Sequence, residues 1–352
     1  MMELEKELKQ KMEEITPIDR QVMEAAWKNW DGLCKPLRGL GWLEEALVQI
    51  AGIMRDDRRA VVIMGADNGV VKEGVTQTDQ SVTMQVLENM GNDLSTACVM
   101  SHQAGCDMIP VNIGGLTDGV HPKIRNRVVR YGTGNIAKEP AMTREECVKA
   151  ILTGIEIVKE LKEEGYQLIV TGEMGIGNTT TSAACAAVLF GKDPADVTGR
   201  GAGLSSEGLN RKINAIRSAI AVNKPDPKDA IDVIAKVGGL DIAGMVGCYL
   251  GAAICQMPIL IDGFISAVSA YLACMLNQTA KEYMIPTHCS AEPAAKMIME
   301  KLGMEAPLHA GMHLGEGTGA IMGLSLIDQA LNVYYHVATF EGGHVEAYTH
   351  QV

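Results

Sequence analysis

The stretch Gln167-Leu-Ile-Val-Thr-Gly-Glu-Met-Gly-Ile-Gly-Asn-Thr-Thr-Thr-Ser-Ala-Ala-Cys-Ala-Ala-Val-Leu189 decides the fold class. Gln167–Val170 is a short aliphatic run closed by small and acidic residues, the pattern of a buried strand. Ser182–Leu189 is a run of small apolar residues that reads as a helix. Between them, Gly172, Gly175 and Gly177 let backbone amides approach an anion at a helix N-terminus, where unpaired N–H groups and the dipole favour negative charge. The same sequence also fits a tight strand-to-helix turn capped by Asn178 or Thr179. Gly172 and Gly177 match the start of a P-loop, but Asn178 stands where that loop needs Lys. A triphosphate would lose its main point charge there, and a monophosphate suits the loop better.

Other strand-like runs end in the same way. Ala60–Gly65 precedes Ala66-Asp67, Met108–Ile113 precedes Gly114-Gly115, and Pro258–Ile261 precedes Asp262-Gly263. Helical patterns lie between them. The clearest begins at Thr143-Arg-Glu-Glu146, a capping box, and continues with Val148, Ile151, Ile155, Val158 and Leu161 on one helical face. Alternating strands and helices predict an α/β protein with an open parallel sheet, whose ligands gather beyond the carboxyl ends of the strands. Before the first strand, Ile18–Trp30 and Trp42–Met54 read as helices. After about Ala330 no period is legible, and the tail fits an appended strand, a dimer contact or a frayed end.

Composition narrows the function. The 352 residues include 43 acidic and 31 basic side chains, for a formal charge of −12. That balance argues against nucleic acid or an anionic membrane as partner. With 47% hydrophobic residues the chain can bury a large core, and its length fits two domains or one large domain with an appendage. The apolar runs Ala243–Cys255 and Phe264–Leu276 are too short to span a bilayer, so a cytoplasmic protein is expected. Nine scattered cysteines without a Cys-x-x-Cys pair read as buried apolar groups in a reducing compartment. His309 and His313 stand four apart but lack the Glu of a zinc-protease helix, and no metal is expected.

Three further segments could carry chemistry. Gly199-Arg-Gly-Ala-Gly203 followed by Lys212 fits either the second side of an anion clamp or a surface turn. Leu314-Gly-Glu-Gly-Thr-Gly-Ala320 presents Glu316 between glycines, as a general base in a pocket or as an acid near a helix start. Gly65-Ala-Asp-Asn-Gly-Val-Val-Lys-Glu-Gly-Val-Thr76, running on to Val82-Thr-Met-Gln85, offers polar groups at a strand end, for a small ligand or as a plain loop.

Taken in order and spacing, these segments resemble the nicotinate-nucleotide–dimethylbenzimidazole phosphoribosyltransferase family. The likeness runs from Lys35-Pro36 to about Ala330. It is strongest at Gly172-Glu-Met-Gly-Ile-Gly-Asn-Thr-Thr180, Gly199-Arg-Gly, Leu260-Ile-Asp-Gly-Phe264, Ser290-Ala-Glu292 and Leu314-Gly-Glu-Gly-Thr-Gly319. The resemblance implies a Rossmann-like domain over 61–288, a smaller mainly helical domain from 1–60 plus 289–352, and a homodimer or a heterodimer with a paralogue. It implies transfer of ribose 5-phosphate from nicotinate mononucleotide to an aromatic acceptor, without cofactor or metal. It makes Glu316 the general base with Glu173 in the same pocket. Gly175, Ile176, Gly177, Asn178, Thr179, Gly201, Gly203, Lys212 and Ser290 fall to the donor nucleotide, and Thr76, Thr78, Asp79, Gln85, Met174 and Leu314 to the acceptor.

The donor half of the family's pattern is intact and the acceptor half is altered. Thr78 and Asp79 stand where an aromatic residue and a proline are usual, and Ser290-Ala-Glu-Pro-Ala-Ala295 lacks the usual histidine. Arg38 and Gly39 replace a Gly-Ser pair. These changes leave the acceptor open: a benzimidazole-type acceptor is the leading expectation, with adenine, phenol or p-cresol as the alternatives, the phenol-using relatives including some that act as one subunit of a heterodimer. A non-catalytic, nucleotide-binding subunit is the alternative from another class, and the retained Glu316 and Glu173 speak against it.

Overall fold

A strand buried on both faces needs apolar residues at every position, and successive residues then feed two different cores. The computed structural model, which describes residues 2–51 and 58–349, is built in this way. The chain opens with helices α1 (Met2–Glu13), α2 (Arg20–Gly32) and α3 (Trp42–Ala51) before strand β1 (Arg59–Ala66). A 3-10 turn over Gly69–Glu73 leads to α4 (Ser81–Gly91), α5 (Thr96–Gln103), β2 (Cys106–Gly114) and β3 (Arg125–Asn126). Then come α6 (Arg144–Glu163), β4 (Leu168–Met174), α7 (Asn178–Phe190), α8 (Pro194–Val197), α9 (Ser206–Asn223), α10 (Ala230–Val237) and α11 (Leu240–Ile254). The last part holds β5 (Ile259–Ile261), α12 (Phe264–Leu276), β6 (Met284–Pro286), α13 (Ala295–Leu302) and α14 (Thr318–His336).

All strand pairings within the six-stranded sheet are parallel, in the order β3-β2-β1-β4-β5-β6. This is the doubly wound order, which reverses direction between β1 and β4 and opens a crevice beyond their carboxyl ends. Val62 and Met64 of β1 and Ile169 of β4 enter the larger core with α6, α10, α11 and α12. Val61, Ile63, Leu168 and Val170 face the opposite side, where Leu87, Cys98, Ile321 and Leu324 pack. The tightest helix contact is α6 on α11. A methyl group on Gly154 would come within 2.1 Å of the Gly244 carbonyl oxygen, so only glycine permits this approach.

The capping box at Thr143 and Glu146 is present, with both reciprocal bonds made. The run Phe264–Leu276 is α12, and Ala243–Cys255 lies within α11 except for its last residue. Trp42–Met54 is helical to Ala51, and its last three residues lie outside the described residues. The tail differs from expectation. Helix α14 continues to His336 because its last turns pack on a small core of Trp30, Leu33, Leu47 and Val48. The Trp30 and Tyr334 rings meet edge-on at 5.1 Å. Beyond the helix, Thr339 forms an antiparallel bridge with Leu33, and the Cys34 N–H donates to the Ala338 carbonyl at 2.9 Å. The helices of the two chain ends thus share one core, while α1 and α13 reach the large core through Leu8 and Ile298. No helix of the described residues is long and apolar enough to cross a membrane.

Candidate active site

A cavity of about 370 Å³ opens at the carboxyl ends of β4, β5 and β6, beside the reversal of strand order. One wall is the loop that leaves β4. Gly177, with φ +94°, turns the chain into α7, and its carbonyl receives the Thr180 N–H at 2.9 Å. Lys212 of α9 reaches this helix start. It is 1% exposed, and its Nζ donates to Thr179 Oγ1 at 2.8 Å and to the Gly199 carbonyl at 3.2 Å. Burial pulls the ammonium down to about 8, against the opposing pull of the Glu292 carboxylate. A buried cation beside a helix N-terminus is suited to an anion the size of a phosphate. The Arg200 guanidinium is engaged within its own loop, donating to the Leu204 carbonyl and to Ser206 Oγ.

The opposite wall carries Glu316 just ahead of α14. Gly315, Glu316 and Gly317 all have positive φ, at +89°, +58° and +75°. For Glu316 this left-handed backbone costs on the order of 1 kcal/mol or more, and it persists only because the surroundings dictate it. The buried carboxylate of Asp262, just after β5, accepts the Ala320 N–H at 3.0 Å. The Gly317 and Gly319 amides also face it. From below, Gly172 of β4 leaves room for the turn, since a methyl group there would lie 2.7 Å from the Gly317 nitrogen. Glu316 Oε2 is buried without a hydrogen-bond partner. Burial raises the Glu316 carboxyl above its ordinary range, and the Ala97 amide at the start of α5 offsets part of that.

Between the walls lies a group of buried acids. Asn178 Nδ2 donates to Glu173 and, at 3.1 Å, to Asp241 Oδ2 of α11. Burial pushes Glu173 up to about 8, helped by the negative charges of Asp241, Asp262 and Glu316. Burial also lifts Asp241 to about 6 and Asp262 to about 7, each held back by donated hydrogen bonds. Glu173 is therefore largely protonated at neutral pH and can donate a hydrogen bond. His288 is buried too. Burial first, and the nearby His309 second, hold its pKa below the usual imidazole range. Among the described residues no three His, Cys, Asp or Glu side chains are grouped to hold a metal ion.

Most of the residues expected from sequence line this one cavity. They are Glu316, Glu173, Gly175, Ile176, Gly177, Asn178, Thr179, Gly201, Lys212 and Ser290, together with Thr76, Thr78, Met174 and Leu314. Gly203, Asp79 and Gln85 are not in the lining. The carbonyl of Gly203 accepts from Gln77 Nε2 at 2.6 Å, a bond that ties the 75–79 loop to the 199–204 loop. Asp79 is exposed and accepts the Ser81 N–H at 2.8 Å as α4 begins. Gln85 is exposed on α4, whereas Thr83 faces inward and accepts the Ile176 N–H at 3.1 Å. Reading the sequence also left Asp241, Asp262, His288 and Glu292 without a role. Asp262 had a signal, an acid directly after a strand. Asp241 had none, because it stands alone at the head of an apolar run.

A phosphoribosyltransferase family model matches residues 15–345. The chain is 47% identical over 339 residues to nicotinate-nucleotide–dimethylbenzimidazole phosphoribosyltransferase of Ruminiclostridium cellulolyticum, covering 95% of this chain and 96% of that one. It is 40% identical over 337 residues to the protein of the same name from Escherichia coli strain SE11, with 94% of each covered. Its fold is similar to the crystal structure of CobT from Thermus thermophilus. That match has a TM-score of 0.87 and 36% identity, covering 93% of this chain and 99% of that one.

Proposed function

The chain belongs to the nicotinate-nucleotide–dimethylbenzimidazole phosphoribosyltransferase family, and from that premise we propose that it moves ribose 5-phosphate from nicotinate mononucleotide to dimethylbenzimidazole. One observation carries the reading at the level of the site. A single cavity holds a buried cation at a helix N-terminus on one wall and a carboxylate oxygen without a partner on the other. The first suits the donor phosphate and the second suits a base.

The pyridinium of the donor is already an activated leaving group. As the acceptor nitrogen bonds to ribose C1, the C1–N bond to nicotinate breaks and its electron pair neutralises the pyridine ring. A β donor and an α product require attack on the face opposite the leaving group, so one displacement with inversion suffices. The attacking benzimidazole becomes cationic unless its second nitrogen loses a proton. Glu316 takes that proton, and its charge stabilises the cation as it develops. Lys212, the start of α7 and Gly201 hold the phosphate and so keep C1 in register, the entropic part of the catalysis. Thr76, Thr78, Met174 and Leu314 border the acceptor, and Leu314, 54% exposed, marks the open side of the cavity.

The same reading takes 1–60 with 289–352 as the smaller domain; the Trp30 core, which joins α2, α3 and α14, supports it, whereas α1 and α13 pack into the large core. It includes a cytoplasmic homodimer. Leu94, Val99 and Val120, large apolar side chains left exposed around α5 and the loop after β2, support the dimer. The test is nicotinate release from nicotinate mononucleotide by the purified chain, with dimethylbenzimidazole, adenine, phenol or p-cresol as acceptor. Release with dimethylbenzimidazole, accompanied by α-ribazole 5′-phosphate, is expected. Release with phenol or p-cresol alone would transfer the role of Glu316 to an oxygen nucleophile, and release with none would remove the transferase reading.

A further inference from the structure

Buried polar atoms in a folded protein nearly always have a hydrogen-bond partner, so an orphan at a cavity wall points to what the cavity takes. Three orphaned atoms belong to residues lining this cavity: Glu316 Oε2, His288 Nε2 and Glu292 Oε2. The first belongs to the proposed base. Glu292 is different, because half of its carboxylate is fixed and half is free. Oε1 accepts the Gly201 N–H at 3.1 Å, while Oε2 has no partner although the residue is only 9% exposed.

The carboxylate is held where only one backbone could admit it. A methyl group on Gly199 would lie 2.1 Å from Glu292 Oε2 and 2.6 Å from its carboxylate carbon. On the same residue, the Gly199 carbonyl accepts from Lys212 Nζ. Glu292 therefore sits within one residue of the phosphate cradle and is tied to Ser290, whose Oγ accepts the Glu292 N–H at 3.3 Å. A carboxylate can only accept, so the partner of Oε2 must be a donor. A phosphate offers none, and the nicotinate carboxylate offers none. The part of the donor that joins phosphate to the reacting carbon is a ribose, which carries two hydroxyl groups.

We propose that Glu292 reads the donor sugar, with Oε2 accepting a hydrogen bond from a ribose hydroxyl while the Gly201 amide holds Oε1. This rests on the donor assignment made above. It makes Glu292 a specificity residue for ribosyl over deoxyribosyl phosphates, because a site built around a hydroxyl is left with an unpaired charge when the hydroxyl is missing.

The test uses the full-length enzyme, with ribose 5-phosphate, its 2-deoxy and 3-deoxy analogues and inorganic phosphate competing against nicotinate mononucleotide. In the wild type, at least one deoxy analogue should bind ~10-fold or more weakly than ribose 5-phosphate, the scale of a hydrogen bond to a charged group. In Glu292→Gln and Glu292→Ala that gap should shrink to about 3-fold or less, as expected once a charge-assisted bond is lost. Inorganic phosphate should bind both variants as well as the wild type or better, which also reports that the cradle is folded. A gap that persists in both variants, or no gap in the wild type, overturns the proposal and leaves the donor assignment standing. Failure of both ribose 5-phosphate and inorganic phosphate to compete with the wild type would instead remove the donor assignment, and this proposal with it.

Discussion

Replacing Gly172 with alanine should slow turnover without weakening the donor. The new methyl group would lie 2.7 Å from the Gly317 nitrogen, 2.9 Å from the Glu316 carbonyl carbon and 2.4 Å from Ile63 Cδ1. The tip of Ile63 can rotate away, but the backbone of the Glu316 turn has less freedom. Asp262 holds the Ala320 amide at 3.0 Å, and the space around the turn is narrow, since a methyl group built on Gly317 would itself meet Val61 Cγ1 at 3.2 Å and the Thr171 carbonyl oxygen at 3.3 Å. Ordinary contact needs roughly 3.4 Å, so the turn must retreat by about half an ångström or more. Overpacking of this kind costs roughly 1–3 kcal/mol of stability. A misplacement of about 1 Å at a reacting group can cost ~10²-fold in rate, so kcat should fall by ~10- to 100-fold. The three atoms nearest to the new methyl group belong to Ile63, Glu316 and Gly317, and none to Lys212 or Thr179, so donor affinity should hold. Initial rates of nicotinate release and calorimetric donor titration give the two quantities. A kcat within about 2-fold of wild type, on a protein shown to be folded, would refute the claim that this glycine seats the base.

Lys212→Ala should weaken donor binding by ~10-fold or more while affecting kcat less, as loss of a buried charge-assisted contact does. The ammonium titrates at about 8, so donor binding by the wild type should also decline above that pH, and this decline should vanish in the variant. Donor titrations across pH 6–9 check both. The stability curve carries another signature. Glu173, Asp262 and Asp241 sit at about 8, 7 and 6, so between their ordinary values and these the folded chain binds more protons than the unfolded chain. The sign follows: unfolding free energy falls as pH rises from about 4 to about 8, by at most about 1.4 kcal/mol per pH unit for each such group. Urea melts at pH 5 and pH 8 should show the loss, and Glu173→Gln should flatten it; a curve that rises with pH would contradict it.

Much of this architecture is legible in the chain because the strands end in chemistry. β1, β2, β4 and β5 announce themselves as aliphatic runs closed by glycine or acid, and the closures of β4 and β5 line the cavity. β3 and β6 carry no such signal, since one is two residues long and the other ends in Pro286 with neither glycine nor acid directly after it. The end of α14 was hidden because Tyr334 and its neighbours pack against the N-terminal helices, which erases a one-sided period. Gln85 and Thr83 show the limit of a motif without a frame. Residues two positions apart on a helix, as Thr83 and Gln85 are, point about 200° apart, so the Val-Thr-Met-Gln element does not say which side chain faces inward. The acidic group around Glu173 was beyond reach for another reason. Asp241 arrives from α11, more than sixty residues along the chain, and one acid before an apolar run looks like a helix-start charge.

The assignment of the base stands or falls on single-turnover nicotinate release by Glu316→Gln, measured beside donor binding by the same protein. Glutamine keeps the shape of the side chain and can still accept the Ala97 amide, but it cannot take a proton. The rate should be lower by ~10²- to 10⁴-fold, the usual contribution of a positioned base, with donor affinity retained. Release at the wild-type rate by this variant would take the base away from Glu316.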